Sequence, residues 1–456
     1  MGICGSKSLL YESLSKSDPE LSEIIRKESC RQLHSLELIA SENYTSCAVL
    51  EANGSIFTNK YAEGYPGKRY YGGCEFIDEL ELLTQQRALK AFGLSSEQFG
   101  VNVQALSGSP ANFAVYAGLL KPGDTIMGMK LTHGGHLTHG AVTPTGKKLS
   151  NSSIFFNSVQ YGVDPESGLI DYPALKSLVE EHRPKLIIVG GSAYSRDYDY
   201  QQFRHIANSI GAYLMADIAH TSGLISANLL DSPFEYCDVV TTTTHKTLRG
   251  PRAALIFYKN SLKEHIDFSV FPGTQGGAHY NTISAVATAL RQVDTSEFKD
   301  YSLSVQYNAR VLSNELTRLG FTIVTGGTDN HLILIDLTPY GISGSKFEKI
   351  AEMCGVSLNK NTIPADRSAL NPNGIRIGTP AMTSRGFNET DFKLTAMWLS
   401  NILYICITIQ SVSESKKMID FNKNVQTQIK HINKLKRTIS DHCLDFWLPK
   451  ALFVLY

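Results

Sequence analysis

The stretch VVTTTTHKTLRGPR, residues 239–252, places a β-branched run directly before a histidine and a lysine. Val239 to Thr244 suits a strand covered on both faces. Four hydroxyls and a primary amine are costly in such a core unless each is paired or chemically committed. The run is therefore either a solvated edge or a strand whose end delivers Lys246 to a reaction. MADIAH (215–220) closes another apolar run with Asp217 and His220. SGSPAN (107–112) precedes the apolar pattern FAVYAGLL, so Ser107, Gly108 and Ser109 should open a helix. Backbone N–H groups and the helix dipole favour an anion there, the alternative being a plain cap. FPGTQGG (271–277) is a second glycine cluster, for another phosphate contact or simply a turn.

A lysine amine for a Schiff base, a carboxylate to keep a pyridine nitrogen protonated, and an anion cradle are together what pyridoxal phosphate requires. Lys246 would be nucleophilic at neutral pH if burial or a nearby cation lowered its pKa. The threonines would then serve as short hydroxyl donors around the cofactor. HGGHLTHG (133–140) is the rival signal, because three histidines could suggest zinc. Two glycines break any helix that would align them, and neither HExxH nor matched cysteines accompany them. No metal is expected. An imidazole stacked on a flat ring is the preferred reading.

These residues need strands that end side by side. KLIIVGG (185–191), AYLMADIAH (212–220) and DVVTTTTHK (238–246) recur at about 27 residues per unit. Phe203, Ile206, Ala207 and Ile210 between the first two mark one helical face. Strand, helix and strand in that rhythm predict βαβ units and a mostly parallel sheet, with further strands at TIMGM (125–129) and AALIFYK (253–259). Ligands bind such sheets beyond the carboxyl ends of the strands, where Asp217, His220, His245 and Lys246 fall. After about residue 300 the texture changes. FTIVTGGTDNHLILIDL (321–337) predicts two strands joined by a turn, KFEKIAEMCG (346–355) a helix stopping at Gly355, and GIRIGTPAM (374–382) a further strand. An amphipathic helix is expected from Phe421 to Ile439.

At 456 residues two domains are the default. Lys plus Arg and Asp plus Glu number 43 each, so no basic field invites nucleic acid. The eight cysteines form no CxxC pair, which fits a reduced compartment. LSNILYICITI (399–409) is too short and too polar for a membrane span. MGICGSK at the start matches a myristoylation pattern at Gly2, with Cys4 as a palmitoyl site, or it is a plain leader. With no apolar or Arg-rich leader sequence, the cytosol is expected.

ELIASENYTS (37–46), TNKYAEGYPGKRYYGGCE (58–75), SGSPANFAVY (107–116), HGGHLTHG, MADIAH, TTTTHKTLRGPR and GIRIGTPA together resemble serine hydroxymethyltransferase, from about residue 20 to 395. The resemblance implies an α/β fold of the pyridoxal-phosphate type I class. A large cofactor-binding domain (46–295) would carry a mostly parallel sheet flanked by helices, with a smaller α+β C-terminal domain (296–456) and an N-terminal arm and helix (1–45). It also implies interconversion of serine plus tetrahydrofolate with glycine plus 5,10-methylenetetrahydrofolate. Residue by residue, Lys246 becomes the Schiff-base lysine and Asp217 the partner of the pyridinium nitrogen. His136 stacks on the cofactor ring and His220 lies on its phenolic oxygen side. Ser107, Gly108 and Ser109 cradle the phosphate, reached by Gly276 and Gly277 of a second subunit, and Ser192, Thr243 and His245 line the pocket.

Arg376, helped by Ser41, would take the substrate carboxylate, and Arg252 would depress the pKa of Lys246. Glu63 would transfer protons at the hydroxymethyl group and folate, arriving from the partner subunit with Tyr61 and Tyr71. Leu131, Gly135, Leu137 and Asn361 match pterin-binding positions. A homo-oligomer with shared sites is implied, dimer or tetramer. Ala105-Leu106 and GGAHYNTI (276–283) depart from the family pattern near phosphate and interface positions. A folate-independent aldolase of β-hydroxy amino acids is one alternative, and a non-catalytic regulatory or RNA-binding homologue another.

Overall fold

The computed structural model describes residues 9–143, 145–366, 371–446 and 448. The acylation pattern at Gly2 and Cys4 lies outside these residues. Seven strands form the large sheet, in the spatial order Phe99–Asn102, Ala254–Lys259, Val239–Thr243, Tyr213–Asp217, Leu186–Val189, Thr125–Met129 and Asn157–Tyr161. Ala254–Lys259 runs antiparallel to both neighbours, and the remaining pairings from Val239 to Tyr161 are parallel. The sheet is thus mostly parallel, with every predicted strand present.

Side chains along these strands alternate between two cores. Ile187, Val189, Leu214 and Ala216 pack on one face, while Leu186, Ile188 and Met215 pack on the other. That period of two explains why the strands read as unbroken apolar runs: helices cover both faces. Helix Tyr200–Asn208 is one crossover and buries Phe203, Ile206 and Ala207, with the Asp199 carboxylate accepting from the Gln202 N–H at its start. Ile210 lies just past its end.

A second sheet of four antiparallel strands, Thr322–Ile323, Leu332–Asp336, Gly374–Gly378 and Asn359–Asn361, carries the C-terminal α+β part. Helix Gly344–Met353 ends where predicted, with Gly355 at φ +79°. Leu36 and Leu38 join the core of this part, and Leu36 pairs with Val356 in a short parallel bridge. Helix Ser296–Arg318 spans both regions, burying Phe298 and Val305 in the first core and Leu312 and Leu316 in the second.

Two expectations need revision. The helix expected over Phe421 to Ile439 is two helices, Met418–Asn424 and Ile429–Leu444, separated by a tighter turn at Val425–Gln428. Phe421, Val425 and Ile432 all enter the second core, and because their i, i+4, i+11 spacing keeps them on one helical face, the expected apolar stripe runs on through the break. LSNILYICITI sits within the longer helix Glu389–Ser411, which is long and apolar enough to cross a membrane. Its Phe392, Leu399, Ile402, Cys406 and Ile409 are fully buried in the second core, so its hydropathy comes from packing inside the protein.

Candidate active site

Parallel strands Tyr213–Asp217 and Val239–Thr243 bring Asp217 and the 243–246 segment to the same end of the large sheet. A cavity of about 380 Å³ opens there. Ser107, Gly108, Ser109, His136, Ser192, Asp217, His220, Thr243, His245, Lys246, Arg252, Arg376 and Ser41 all line it. Thirteen positions expected to act together are therefore brought together by the fold.

Each is held by identifiable forces. Ser107 precedes helix Gly108–Leu119, and its hydroxyl makes no cap bond, which leaves it available to a ligand. Gly108 is required by space, since a Cβ there would meet Thr243 Cγ2 at 2.7 Å. Arg376 is buried on the second sheet, where its Nε donates to Asn359 Oδ1 at 3.0 Å and its Nη1 to the Ser192 carbonyl at 2.5 Å. Burial brings its pKa down to about 10.

Lys246 is shaped electrostatically. Burial lowers its pKa, Asp217 opposes, and the cations Arg376 and Arg252 lower it further, for a result of about 8. Burial alone would raise the Asp217 carboxyl, but the hydrogen bond from His139, the neighbouring imidazoles and the hydrogen bond from Asn112 hold it well below the usual range. Burial drives His136 down to about 4 and His245 to about 3, and pushes His220 down as well, so all three rings are neutral near pH 7.

The threonine run plays a different part from the one its composition suggests. Thr241 Oγ1 donates to Asn112 Oδ1 at 2.7 Å, Thr242 Oγ1 to the Thr243 carbonyl at 2.8 Å, and Thr244 Oγ1 to the Pro251 carbonyl at 2.6 Å. Thr243 alone of the four reaches the cavity, and its hydroxyl also bonds the Ala219 carbonyl at 3.3 Å. The hydroxyls are spent on protein acceptors because a buried hydroxyl without a partner is costly.

Five expected residues gather elsewhere. Tyr61 donates to Glu63 Oε1 at 3.3 Å and meets Tyr71 edge to face at 5.1 Å. Gly276 and Gly277 lie against them, a Cβ on Gly276 falling 3.0 Å from Glu63 Oε1. None of the five lines the Lys246 cavity of its own chain. Leu131, Gly135, Leu137 and Asn361 also lie outside it. Thr362 Oγ1 donates to the Leu131 carbonyl at 3.4 Å, which brings the Asn361 segment to that loop.

A family model described as serine hydroxymethyltransferase matches residues 14–399. The chain is 53% identical to serine hydroxymethyltransferase 3, chloroplastic, of Arabidopsis thaliana, over 97% of this chain and 86% of that one. It is 50% identical to serine hydroxymethyltransferase of Bombyx mori, over 97% and 99%. The cytosolic serine hydroxymethyltransferase of Oryctolagus cuniculus is likewise 50% identical, over 97% and 95%.

The chain belongs to the serine hydroxymethyltransferase family.

The fold adds residues to this serine hydroxymethyltransferase site that local patterns did not single out. His139 Nε2 donates to Asp217 Oδ2 at 2.9 Å, and Asn112 Nδ2 donates to the same oxygen at 2.7 Å. His331 stacks on His220 with ring centroids 5.4 Å apart. Asn43 Nδ2 donates to the Lys246 carbonyl at 2.9 Å. The signal for His139 was present in HGGHLTHG, where it read as one of three equivalent histidines; Asn112 and Asn43 gave none beyond their motifs. His136, His139 and Asp217 have donor atoms within 4.8 Å of one another. An ion between them would have to break the His139–Asp217 hydrogen bond.

Proposed function

We propose that this chain interconverts L-serine plus tetrahydrofolate with glycine plus 5,10-methylenetetrahydrofolate, using pyridoxal phosphate attached at Lys246. The observation that carries the reading is the meeting of Lys246, Asp217 and Arg376 in one cavity at the carboxyl ends of a parallel sheet. The residues present fit this cofactor. Ser107 has an uncommitted hydroxyl at a helix start, Gly108 leaves a cradle that a Cβ would fill, and His245 Nδ1 is buried without a partner among the described residues. Ser107, Gly108 and Ser109 would hold the phosphate, His136 the ring face, and Asp217 the proton on the ring nitrogen. His220, Ser192, Thr243 and His245 would complete the pocket.

Pyridoxal phosphate, when bound, supplies an electron sink for the pair released at the α-carbon. The chain's own residues do the rest. Lys246, with its pKa near 8, holds about a tenth of its amine uncharged at pH 7, far more than an open-chain lysine, and so can form and release the covalent link. Arg376 takes the substrate carboxylate, aided by Ser41. Its guanidinium is oriented in advance by Asn359 and the Ser192 carbonyl, so little entropy is lost on binding. Arg252 keeps a positive charge beside the lysine. Glu63, with Tyr61, Tyr71, Gly276 and Gly277, would act in the site of a second copy, moving a proton at the hydroxymethyl oxygen. The separation of that cluster from its own Lys246 cavity supports this reading. Leu131, Gly135, Leu137 and Asn361 would hold the pterin, and the cytosol is the proposed compartment.

The test is conversion of serine carrying an isotopic label on its hydroxymethyl carbon. Label passing to folate only when tetrahydrofolate is supplied is expected. Release of the label as formaldehyde at the same rate without folate would favour an aldolase, and no cleavage would favour a non-catalytic homologue.

A further inference from the structure

Around Asp217 the hydrogen bonds can be given directions from chemistry alone. Asp217 Oδ2 is a carboxylate oxygen and only accepts, so the group of Asn112 facing it at 2.7 Å must be the amide nitrogen. That choice also turns the amide oxygen toward Thr241, whose hydroxyl donates to it at 2.7 Å. The second N–H of Asn112 then points to Thr138 Oγ1 at 2.9 Å. The Thr138 hydroxyl stands 2.7 Å from His136 Nδ1 and donates to it when that nitrogen carries no proton. The Thr138 backbone N–H, which can only donate, also faces His136 Nδ1 at 3.2 Å. An N–H aimed at that ring nitrogen leaves it no proton of its own, so the hydroxyl is the second donor.

We infer that Asn112 is a positioning residue: its amide fixes His136 as the Nε2–H tautomer and, together with His139, saturates Asp217 Oδ2 so that Oδ1 is the oxygen kept for a ligand. His139 Nε2 fills the second lone pair of Oδ2 at 2.9 Å, while its Nδ1 accepts the His136 backbone N–H at 3.4 Å. Asp217 Oδ1 accepts only the Ala219 N–H at 3.1 Å among the described contacts. One amide thus connects the ring proposed to stack on the cofactor with the carboxylate proposed to hold its nitrogen. Asn112 is buried in helix Gly108–Leu119, the helix whose first turn is the proposed phosphate cradle, so the same element sets three contacts. The consequence for the cofactor rests on the proposed function. The tautomer rests only on contacts within the protein.

The experiment is solid-state nitrogen NMR of the full-length protein as purified, with ¹⁵N-labelled histidine. The His136 signals are identified by their loss in His136→Gln. A protonated Nε2 and a bare Nδ1 on His136 are expected. In Asn112→Asp a carboxyl replaces the donor, and two carboxyls at this spacing share one proton. The Thr138 hydroxyl then turns toward the new acceptor, and part of the His136 population moves its proton to Nδ1. A proton on Nδ1 in the unsubstituted protein would overturn the inference, with no variant needed. An unchanged His136 spectrum in a folded Asn112→Asp protein would overturn the role given to Asn112. Neither result depends on turnover, so either can fail while the proposed activity stands.

Discussion

Replacing Lys246 by methionine should stabilise the cofactor-free protein. The lysine titrates near 10.5 in an open chain and about 8 in the fold, mainly because burial disfavours the charged form and Arg376 and Arg252 repel it. A shift of this size corresponds to about 3 kcal/mol at pH 7, a ceiling because water in the cavity relieves part of it. The sign follows from proton counts. Below pH 8 both folded and unfolded chains carry the proton, and the full penalty applies. Between about pH 8 and 10.5 the unfolded chain holds more protons than the folded one, so stability rises with pH. The methionine variant lacks this dependence. Its advantage should therefore reach at most about 3 kcal/mol at pH 7 and shrink by more than half at pH 9.5. Urea unfolding of both apoproteins at the two pH values measures the difference. A gap that does not change with pH, or a less stable variant at pH 7, would refute the claim that Lys246 is held in a site hostile to its charge.

Three further outcomes follow from particular contacts. Arg376→Lys keeps the charge but loses the planar fork, and should raise the KM for serine about 10- to 100-fold with a smaller effect on kcat, read by steady-state kinetics. Lys246→Ala and Glu63→Gln chains, each inactive alone, should regain activity when unfolded together and refolded as mixed oligomers, because an intact Lys246 then meets an intact Glu63; no recovery would place Glu63 in its own chain's site. Thr244→Val removes the bond to the Pro251 carbonyl and should cost about 1–3 kcal/mol in thermal unfolding while leaving cofactor affinity within about twofold, since its hydroxyl faces protein.

What could be read from the chain was set by how local its signal was. The apolar runs ending in Asp217 and Lys246 announced both the strands and the positions of their reactive ends, because a parallel sheet exposes its carboxyl ends together. Helix Tyr200–Asn208 was legible from one periodic face. The partners of Asp217 were not: Asn112 and His139 come from segments 105 and 78 residues away, brought in by the sheet order. The threonine run misled for a related reason. Its composition indicated hydroxyls at a reactive end, but only the fold supplies the acceptors Asn112 and Pro251. The helix break at Val425 carries no glycine or proline, and the apolar stripe stays in phase across it, so no local signal marks it.

The central claim is that one lysine carries the cofactor. Borohydride reduction of the purified protein, followed by proteolysis and mass spectrometry, tests it directly. A pyridoxyl-phosphate adduct on Lys246 and on no other lysine is predicted. An adduct confined to a different lysine, or none after incubation with pyridoxal phosphate, would contradict the account.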